Sequence, residues 1–129
     1  MKLNIIPKQE FEVIPSVCAG EDKPFKIKFR EPLAGDINPF ITDISECYRS
    51  LLINCFEGFE NKPEIELDGK PYQYFDYQGL INAGSSKEIN QIHYECIVKM
   101  IEVFNKQQEL QEKLGKKSVS AGKSTKAES

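Results

Sequence analysis

The chain contains few side chains that could carry out catalysis. Its single histidine, His93, has no Cys, Asp or Glu cluster at metal-ligand spacing beside it, so a structural or surface role is favoured. No Ser or Cys occupies a recognisable nucleophile motif. Asp and Glu are numerous, but neither helical nor strand spacing gathers them on an apolar wall, where burial would suit a carboxylate to acid–base work. The sequence therefore predicts a protein that is not an enzyme and holds no metal or cofactor.

One segment near the C-terminus has the residue types that end a phosphate-binding loop. It reads Gly122-Lys123-Ser124-Thr125. The full motif needs a further Gly five residues earlier, where Lys117 stands, together with a strand before it and a helix after it. Neither flanking element is predicted from the sequence. We therefore expect no nucleotide site here.

The four cysteines are predicted to be reduced residues of the core. Cys18, Cys47, Cys55 and Cys96 form no C-x-x-C pair, and two of them lie on the apolar face of a predicted helix. A free Cys packs as a small apolar residue. Their spacing therefore favours neither disulfides nor metal binding.

The charge of the chain is unevenly distributed. Residues 105–129 contain six Lys and three Glu, which give +3 and leave −6 for residues 1–104 out of the total of −3. An acidic body repels nucleic acid, and the Lys-containing end has no interleaved aromatics, so we expect no nucleic-acid binding. No run approaches 18 apolar residues and the N-terminus lacks the apolar region of a signal peptide. The sequence predicts a cytosolic protein without a membrane segment.

The organising element is predicted to be a helix from Ile37 to Phe59. Apolar residues recur there every three or four positions, which places them on one face of a helix. Asn38-Pro39 suits the start of such a helix, and Gly58 suits its end. A helix with this stripe requires a partner, and the remaining chain must supply it.

Two alternating segments before this helix predict an N-terminal β-hairpin. Phe11–Pro15 and Phe25–Arg30 alternate apolar and polar residues, and the second is the clearest strand pattern in the chain. Phe25, Ile27 and Phe29 would share one face. We expect that face to pack on the helices, because an isolated two-stranded ribbon is only marginally stable.

The middle of the chain is less regular. Asp68-Gly69 predicts a tight turn and a small hairpin, although Pro71 limits the pairing. The segment Tyr72–Ile81 fits either a strand or a short helix, and a short helix that ends near Gly84 is the favoured interpretation.

A second long helix is predicted from Ser85, which has the spacing of a capping box with Glu88. Its apolar stripe continues to Phe104, and Leu110 and Leu114 extend the pattern. Residues 115–129 contain almost no apolar side chains and are predicted to be disordered.

These elements predict a mainly helical α+β protein: two long packed α-helices, an N-terminal β-hairpin and a disordered C-terminal tail. The predicted organisation is an extended lead-in at residues 1–8, a single domain at residues 9–114 and the tail at residues 115–129.

A cluster of aromatic residues between the two helices could bind a partner. No Lys or Arg lies between Lys70 and Lys87 to hold phosphates, so the cluster favours core or interface packing over nucleic-acid stacking. The candidate partner-binding residues are the four aromatics and two leucines of the second helix: Tyr72, Tyr74, Phe75, Tyr77, Leu110 and Leu114.

The C-terminal segment Ser118–Thr125 resembles the end of the shorter tail assembly chaperone of lambda-like long-tailed bacteriophages. That family also has a mainly helical domain followed by a mobile tail with a Ser-Ala-Gly-Lys segment near the stop. In the family, the codons that correspond here to Gly122 and Lys123 form a slippery site, where a −1 frameshift yields a longer product. The likeness covers chain size, the two helices and this tail segment, and the body of the chain offers no residue-by-residue match.

The resemblance implies a non-catalytic chaperone in the host cell cytoplasm that is absent from the mature virion. Its implied partners are the tape measure protein, the longer frameshift product and, through that product, the tail tube protein; self-association is left open. The alternative is a small intracellular interaction adaptor of an unrelated family. An overlapping −1 reading frame downstream would support the chaperone, and a plain stop would support the adaptor.

Overall fold

Three antiparallel strands form the sheet against which the helices pack. The computed structural model describes residues 1–5 and 7–119, with side chains described up to residue 114. Strand β1 spans Glu10–Val13, β2 spans Lys26–Arg30 and β3 spans Phe56–Glu60, in the spatial order β1-β2-β3. Strands β1 and β2 pair in antiparallel register, so the predicted N-terminal hairpin is confirmed.

The inner face of β2 is the one predicted from its alternation. Phe25, just before the strand, together with Ile27 and Phe29, is at most 1% exposed. Lys28, on the opposite face, places its Nζ 3.0 Å from a carboxylate oxygen of Glu60 on β3. The sheet therefore buries one apolar face and keeps ion pairs on the other.

Within residues 1–5 and 7–119, three helices complete the fold: α1 at Ile44–Cys55, α2 at Tyr77–Ile81 and α3 at Lys87–Val119. Short 3-10 turns occupy Ser16–Cys18 and Ala34–Asp36. The α+β class is confirmed. The prediction of two long helices is not exact, because among the described residues α1 has 12 residues and α3 has 33.

The cap of helix α1 lies five residues later than predicted, at Asp43 instead of Asn38. The side chain of Asn38 accepts a hydrogen bond from the backbone N–H of Phe40 at 3.0 Å, which holds a local turn instead of capping a helix. The helix starts after Asp43, whose carboxylate accepts from the N–H of Glu46 at 3.0 Å. As a result, Phe40 lies outside the helix and is 89% exposed.

The end of the predicted helix is a strand instead. Helix α1 stops at Cys55, and the next residues pair with β2, with Phe56 opposite Phe29 and Phe59 opposite Ile27. The register shifts between Lys28 and Phe29, and the rings of Phe56 and Phe59 lie 4.7 Å apart. Phe56 and Phe59 are three residues apart and contact each other in this irregular strand, as such residues also do in a helix. Their spacing therefore did not distinguish a strand from a helix.

A small hairpin follows, with β4 at Ile65–Leu67 and β5 at Lys70–Tyr72. Its predicted turn is confirmed, since Asp68 and Gly69 have φ values of 55° and 75°. The ambiguous segment contributes to both kinds of element: Tyr72 ends β5 and Tyr77 begins α2. Asp76 caps α2 by accepting from the N–H of Gly79 at 2.8 Å.

Helix α3 begins one residue later than the predicted capping box. Ser86, not Ser85, caps it, because its Oγ accepts from the N–H of Ile89 at 3.0 Å. The helix continues to Val119, five residues into the segment predicted to be a disordered tail. The rest of that prediction, residues 120–129, lies outside the described residues.

The core joins the sheet to all three helices. Leu51 and Leu52 of α1 and Met100 of α3 are at most 2% exposed. Three of the four cysteines, Cys18, Cys55 and Cys96, are buried, Cys47 is half-buried, and all four are free thiols. The burial of Cys18, Cys55 and Cys96 agrees with the prediction that the cysteines pack in the core.

Candidate partner-binding groove

A groove of about 610 Å³ runs along the C-terminal half of α3. Its opposite walls are the first residues of the chain and the segment around the second 3-10 turn. We refer to it as the α3 groove. It is lined by Lys2, Leu3, Asn4, Ile5, Pro32, Leu33, Ala34, Ile37, Phe104, Gln107, Gln108, Gln111 and Leu114.

An ion pair fixes the wall formed by the 3-10 turn. The guanidinium of Arg30, at the end of β2, donates to both carboxylate oxygens of Asp36 at 2.6 and 3.0 Å. Asp36 Oδ2 also accepts from the N–H of Leu33 at 2.7 Å, and Arg30 donates to the carbonyl of Asn54 at 3.1 Å. The turn is thereby tied both to the sheet and to the end of α1.

This ion pair shifts the acidity of the groups around it. The hydrogen bond from Arg30 outweighs the effect of burial and lowers the pKa of Asp36 to about 2. The thiol of Cys55 lies 3.7 Å from Asp36 Oδ2, and burial raises the pKa of that thiol to about 12. Near neutral pH the Asp36 carboxylate therefore stays charged and the Cys55 thiol stays protonated. Both states suit a structural role for the ion pair.

A second anchor connects this wall to α3. The side-chain amide of Gln107 donates to the carbonyl of Pro32 at 2.8 Å, and Pro32 itself is fully buried. The groove is thus held between the helix and the turn by a direct hydrogen bond.

The chemistry of the described lining suits binding to apolar groups. Its only charged side chain is Lys2, and its other polar side chains are neutral amides. The apolar walls are open to solvent: Leu3 is 73% exposed, Ile5 is 80% exposed and Leu33 is 48% exposed. Burial of such surface by a partner is favourable by about 25 cal/mol per Å².

The structure separates the predicted aromatic cluster into surface and core. Phe75 is 78% exposed and Tyr72 is half-buried, whereas Tyr74 and Tyr77 are 3% and 0% exposed. Tyr74 packs edge-on against Phe59, with ring centroids 5.4 Å apart. The placement of Tyr74 and Tyr77 on a partner surface is therefore corrected, because both side chains fill the core.

The two predicted leucines lie on α3. Leu114 lines the groove, and Leu110 is 51% exposed on the same half of the helix but outside the lining. Gly122 and Lys123, the predicted frameshift codons, lie beyond the described residues.

Several groove residues were not candidates in the sequence. Leu3 and Ile5 belong to a segment without clear periodicity, and Ile37 had been assigned to the central helix. Leu3 and Ile5 share one signal, a large apolar side chain outside any predicted stripe, whereas Ile37 lay within the predicted stripe of the central helix. That signal alone could not show that residues 2–5 and 104–114 come together.

Metal sites, membrane spans and known relatives give no further indication of function. Within residues 1–5 and 7–119, no group of three His, Cys, Asp or Glu side chains is arranged to hold a metal ion. In that part of the chain no helix is long and apolar enough to cross a membrane. Comparison with family models, curated proteins and solved structures finds no match to this chain.

Proposed function

We propose that this protein is a tail assembly chaperone of a lambda-like long-tailed bacteriophage. In this role it binds the tape measure protein in the host cytoplasm, helps to recruit tail tube subunits, and does not catalyse a reaction. The observation that carries its client-binding part is the α3 groove, an open apolar surface whose described lining has one charged side chain.

The groove fits the physical task of such a chaperone. A long apolar client needs weak sites that keep water from its side chains, and a groove between a helix and a turn can accept one apolar face of another helix. Its volume of about 610 Å³ is in the range of sites that enclose a few side chains. Several copies acting on successive segments would then keep the tape measure protein in solution.

The more specific part of the proposal is supported by the C-terminal sequence. Ser118–Thr125 has the Ser-Ala-Gly-Lys residues found near the end of the shorter chaperone product. An adaptor of an unrelated family would have an equal use for the groove but no reason to carry a slippery site. The chaperone and the adaptor assignments therefore differ in whether the gene carries a slippery site.

The gene supplies the first test. The codons for Ala121-Gly122-Lys123 should contain a slippery heptamer of the G-GGA-AAG kind, and expression of the native gene should give a minor longer product. Synonymous changes there should remove that product and leave the 129-residue protein intact. Absence of both the heptamer and the longer product would assign the protein to the adaptor class.

Client binding supplies the second test. We expect Leu33→Glu to reduce the amount of co-expressed tape measure protein that stays in solution, because it places a carboxylate in the apolar groove. Leu67→Glu is the matched control, since Leu67 has the same 48% exposure and lies on the β4–β5 hairpin, outside the groove. Equal client solubility with the two variants would show that the groove is not the binding site.

A further inference from the structure

Phe40 is a large aromatic side chain that the fold leaves uncovered. It lies between the second 3-10 turn and α1, and it is 89% exposed. Ile44, the first residue of α1, is 72% exposed. Apolar surface that is contiguous with a groove is a common mark of a binding site, so the surroundings of Phe40 decide what it could contact.

The backbone holds Phe40 in a defined turn. The side chain of Asn38 accepts from the N–H of Phe40 at 3.0 Å, and the carbonyl of Asn38 accepts from the N–H of Ile41 at 3.1 Å. The ring of Pro39, between them, fixes its own φ. An aromatic residue on an ordered backbone loses little conformational entropy on binding, which suits Phe40 to act as an anchor in a pocket.

The α3 groove lies next to this turn along the chain. Ile37 lines the groove, and three residues span about 11 Å at most, which limits the distance between the Cα atoms of Ile37 and Phe40. The groove has a volume of about 610 Å³, and Phe40 does not line it. The chain therefore carries an exposed apolar anchor close to an open apolar groove that the anchor does not fill.

A second copy of the chain would cover both features at once. In a two-fold symmetric contact, residue i of one copy meets residue j of the other, and j meets i. An anchor and a groove that lie close together on one chain can therefore satisfy each other in both directions. A helix of another protein would use the groove but would give no reason for the exposed ring of Phe40.

The charges beside the anchor and beside the groove have opposite signs. Asp43 and Glu46 follow Phe40 along the chain, and both side chains are exposed, although Glu46 also pairs with Arg49 at 3.8 Å. The charged side chain of the described groove lining is Lys2. Entry of Phe40 into the groove of another copy would bring carboxylates of one copy toward an ammonium of the other, which favours this occupant.

We propose that two copies of this chain associate about a two-fold axis, with Phe40 of each copy in the α3 groove of the other. The contact is small, so the dimer is weak and exchanges with the monomer. Because the groove is also the surface assigned to the client, the dimer is the client-free form and client binding separates the copies. Only this last consequence rests on the proposed function.

Analytical ultracentrifugation of the full chain, without any client, tests the association. We expect the wild type to pass from monomer to dimer between about 1 and 500 µM, the range of a small, weak interface. Phe40→Ser should raise the Kd at least about 100-fold, because each dimer loses two anchors. Tyr94→Ser is the matched control and should leave the Kd unchanged, since Tyr94 is a 62% exposed aromatic residue outside the groove lining.

A mixture of two variants tests whether the contact is reciprocal. Phe40→Ser keeps the groove and lacks the anchor, whereas Leu33→Glu keeps the anchor and places a carboxylate in the groove. Each variant alone should stay monomeric. The mixed pair retains one anchor in one intact groove and should bind about tenfold more tightly than either variant binds itself. Leu67→Glu, at the same 48% exposure on the β4–β5 hairpin, should dimerise like the wild type.

Three results would overturn the proposal. They are a wild-type chain that stays monomeric up to about 500 µM, a Phe40→Ser variant that dimerises like the wild type, and a mixture that gains no affinity over its two components. Thermal melts verify that the variants are folded, and Phe40→Gln gives the same test if the Ser variant is not. No client is present in these measurements, so a failure of client binding would leave their outcome unchanged.

Discussion

Arg30 and Asp36 show how single residues hold the α3 groove in shape. Their side chains are 16% and 12% exposed, and their two hydrogen bonds connect β2 to the 3-10 turn that forms one wall. A pair this well shielded and this directional contributes more than an ordinary surface ion pair. Tyr74 and Phe75 also show how single residues differ. Both are aromatic and adjacent in sequence, but Tyr74 is buried and Phe75 is exposed.

The ion pair predicts how stability depends on pH. The pKa of Asp36 is lowered from 3.8 to about 2, so its contribution of about 2 kcal/mol is present above pH 4 and is lost as pH falls toward 2. Urea melts of Asp36→Asn should show a loss of about 2 kcal/mol at pH 7 and a smaller acid dependence than wild type. Glu60→Gln is the control, because its bridges to Lys26 and Lys28 are exposed and should contribute little. Equal effects of the two substitutions would contradict the structural role of Asp36.

Alanine substitution at Tyr74 and at the adjacent Phe75 should have very different effects on the free energy of unfolding. Tyr74→Ala should destabilise the domain by about 3–5 kcal/mol, because it leaves a cavity beside Phe59 and removes the hydrogen bond to the carbonyl of Pro63. Phe75→Ala should change stability by about 0.5 kcal/mol, since that ring is 78% exposed. Chemical denaturation of both variants measures the difference, and a large loss from Phe75→Ala would mean that its ring packs more closely than the structure indicates.

At the scale of elements, pairing with a neighbour decides what several segments become. Phe56–Glu60 extends a helical pattern in the sequence but pairs with β2 as a strand. The backbone N–H and C=O groups of this segment make hydrogen bonds to β2 instead of hydrogen bonds within a helix, because buried backbone groups need a partner in either case. Asp36, in turn, stabilises the 3-10 segment by accepting from the N–H of Leu33, the residue immediately before its first turn.

Two glycines predict opposite responses to the same substitution. Gly69 has φ of +75° in the β4–β5 turn, so Gly69→Ala should cost about 1 kcal/mol through backbone strain. Gly58 in β3 has an ordinary backbone, and a Cβ added there would meet no atom within 4 Å, so Gly58→Ala should be neutral or stabilise by about 0.5 kcal/mol. Thermal melts compare the two, and a cost at Gly58 as large as that at Gly69 would refute the assignment of strain to the turn.

At the scale of the whole molecule, the core and the groove use different parts of α3. Met100 and the residues before it pack on the sheet, whereas Phe104 and Leu114 line the groove near the first residues of the chain. One helix thus supports the fold with its first half and offers a binding surface with its second. Substitutions in the second half can therefore alter binding without unfolding the domain.

Two C-terminal truncations should have different effects, one on neither stability nor the groove and the other on client binding. Residues 120–129 contain Ala as their only apolar type, so their removal should leave the thermal melt unchanged within about 1 °C. Removal from residue 110 onward also takes Leu114 from the groove and should weaken client binding. Calorimetry and client co-expression measure the two effects. A drop of several degrees on the shorter truncation would show that these residues contribute to the fold.

Features that depend on near neighbours along the chain could be predicted from the amino-acid sequence. The alternation in Phe25–Arg30 identified the buried face of β2, and Asp68-Gly69 identified a tight turn, since both follow from backbone periodicity and local conformational preference. The stripe of α3 also identified its core residues, and the α+β class followed from these elements. Cys55 and Cys96 occur within apolar helical patterns and are fully buried, as those patterns predict, whereas Cys47 shares such a pattern and is only half-buried.

Features that depend on partners far away in the sequence required the folded structure. Phe56–Glu60 became a strand because β2 offered it an edge to pair with. Tyr74 became core against Phe59 of β3, and Tyr77 became core against Phe29 of β2 and His93 of α3. The α3 groove requires residues 2–5 and 104–114 to lie side by side. Spacing along a chain describes one element at a time, whereas burial and grooves arise from contacts between elements far apart in sequence.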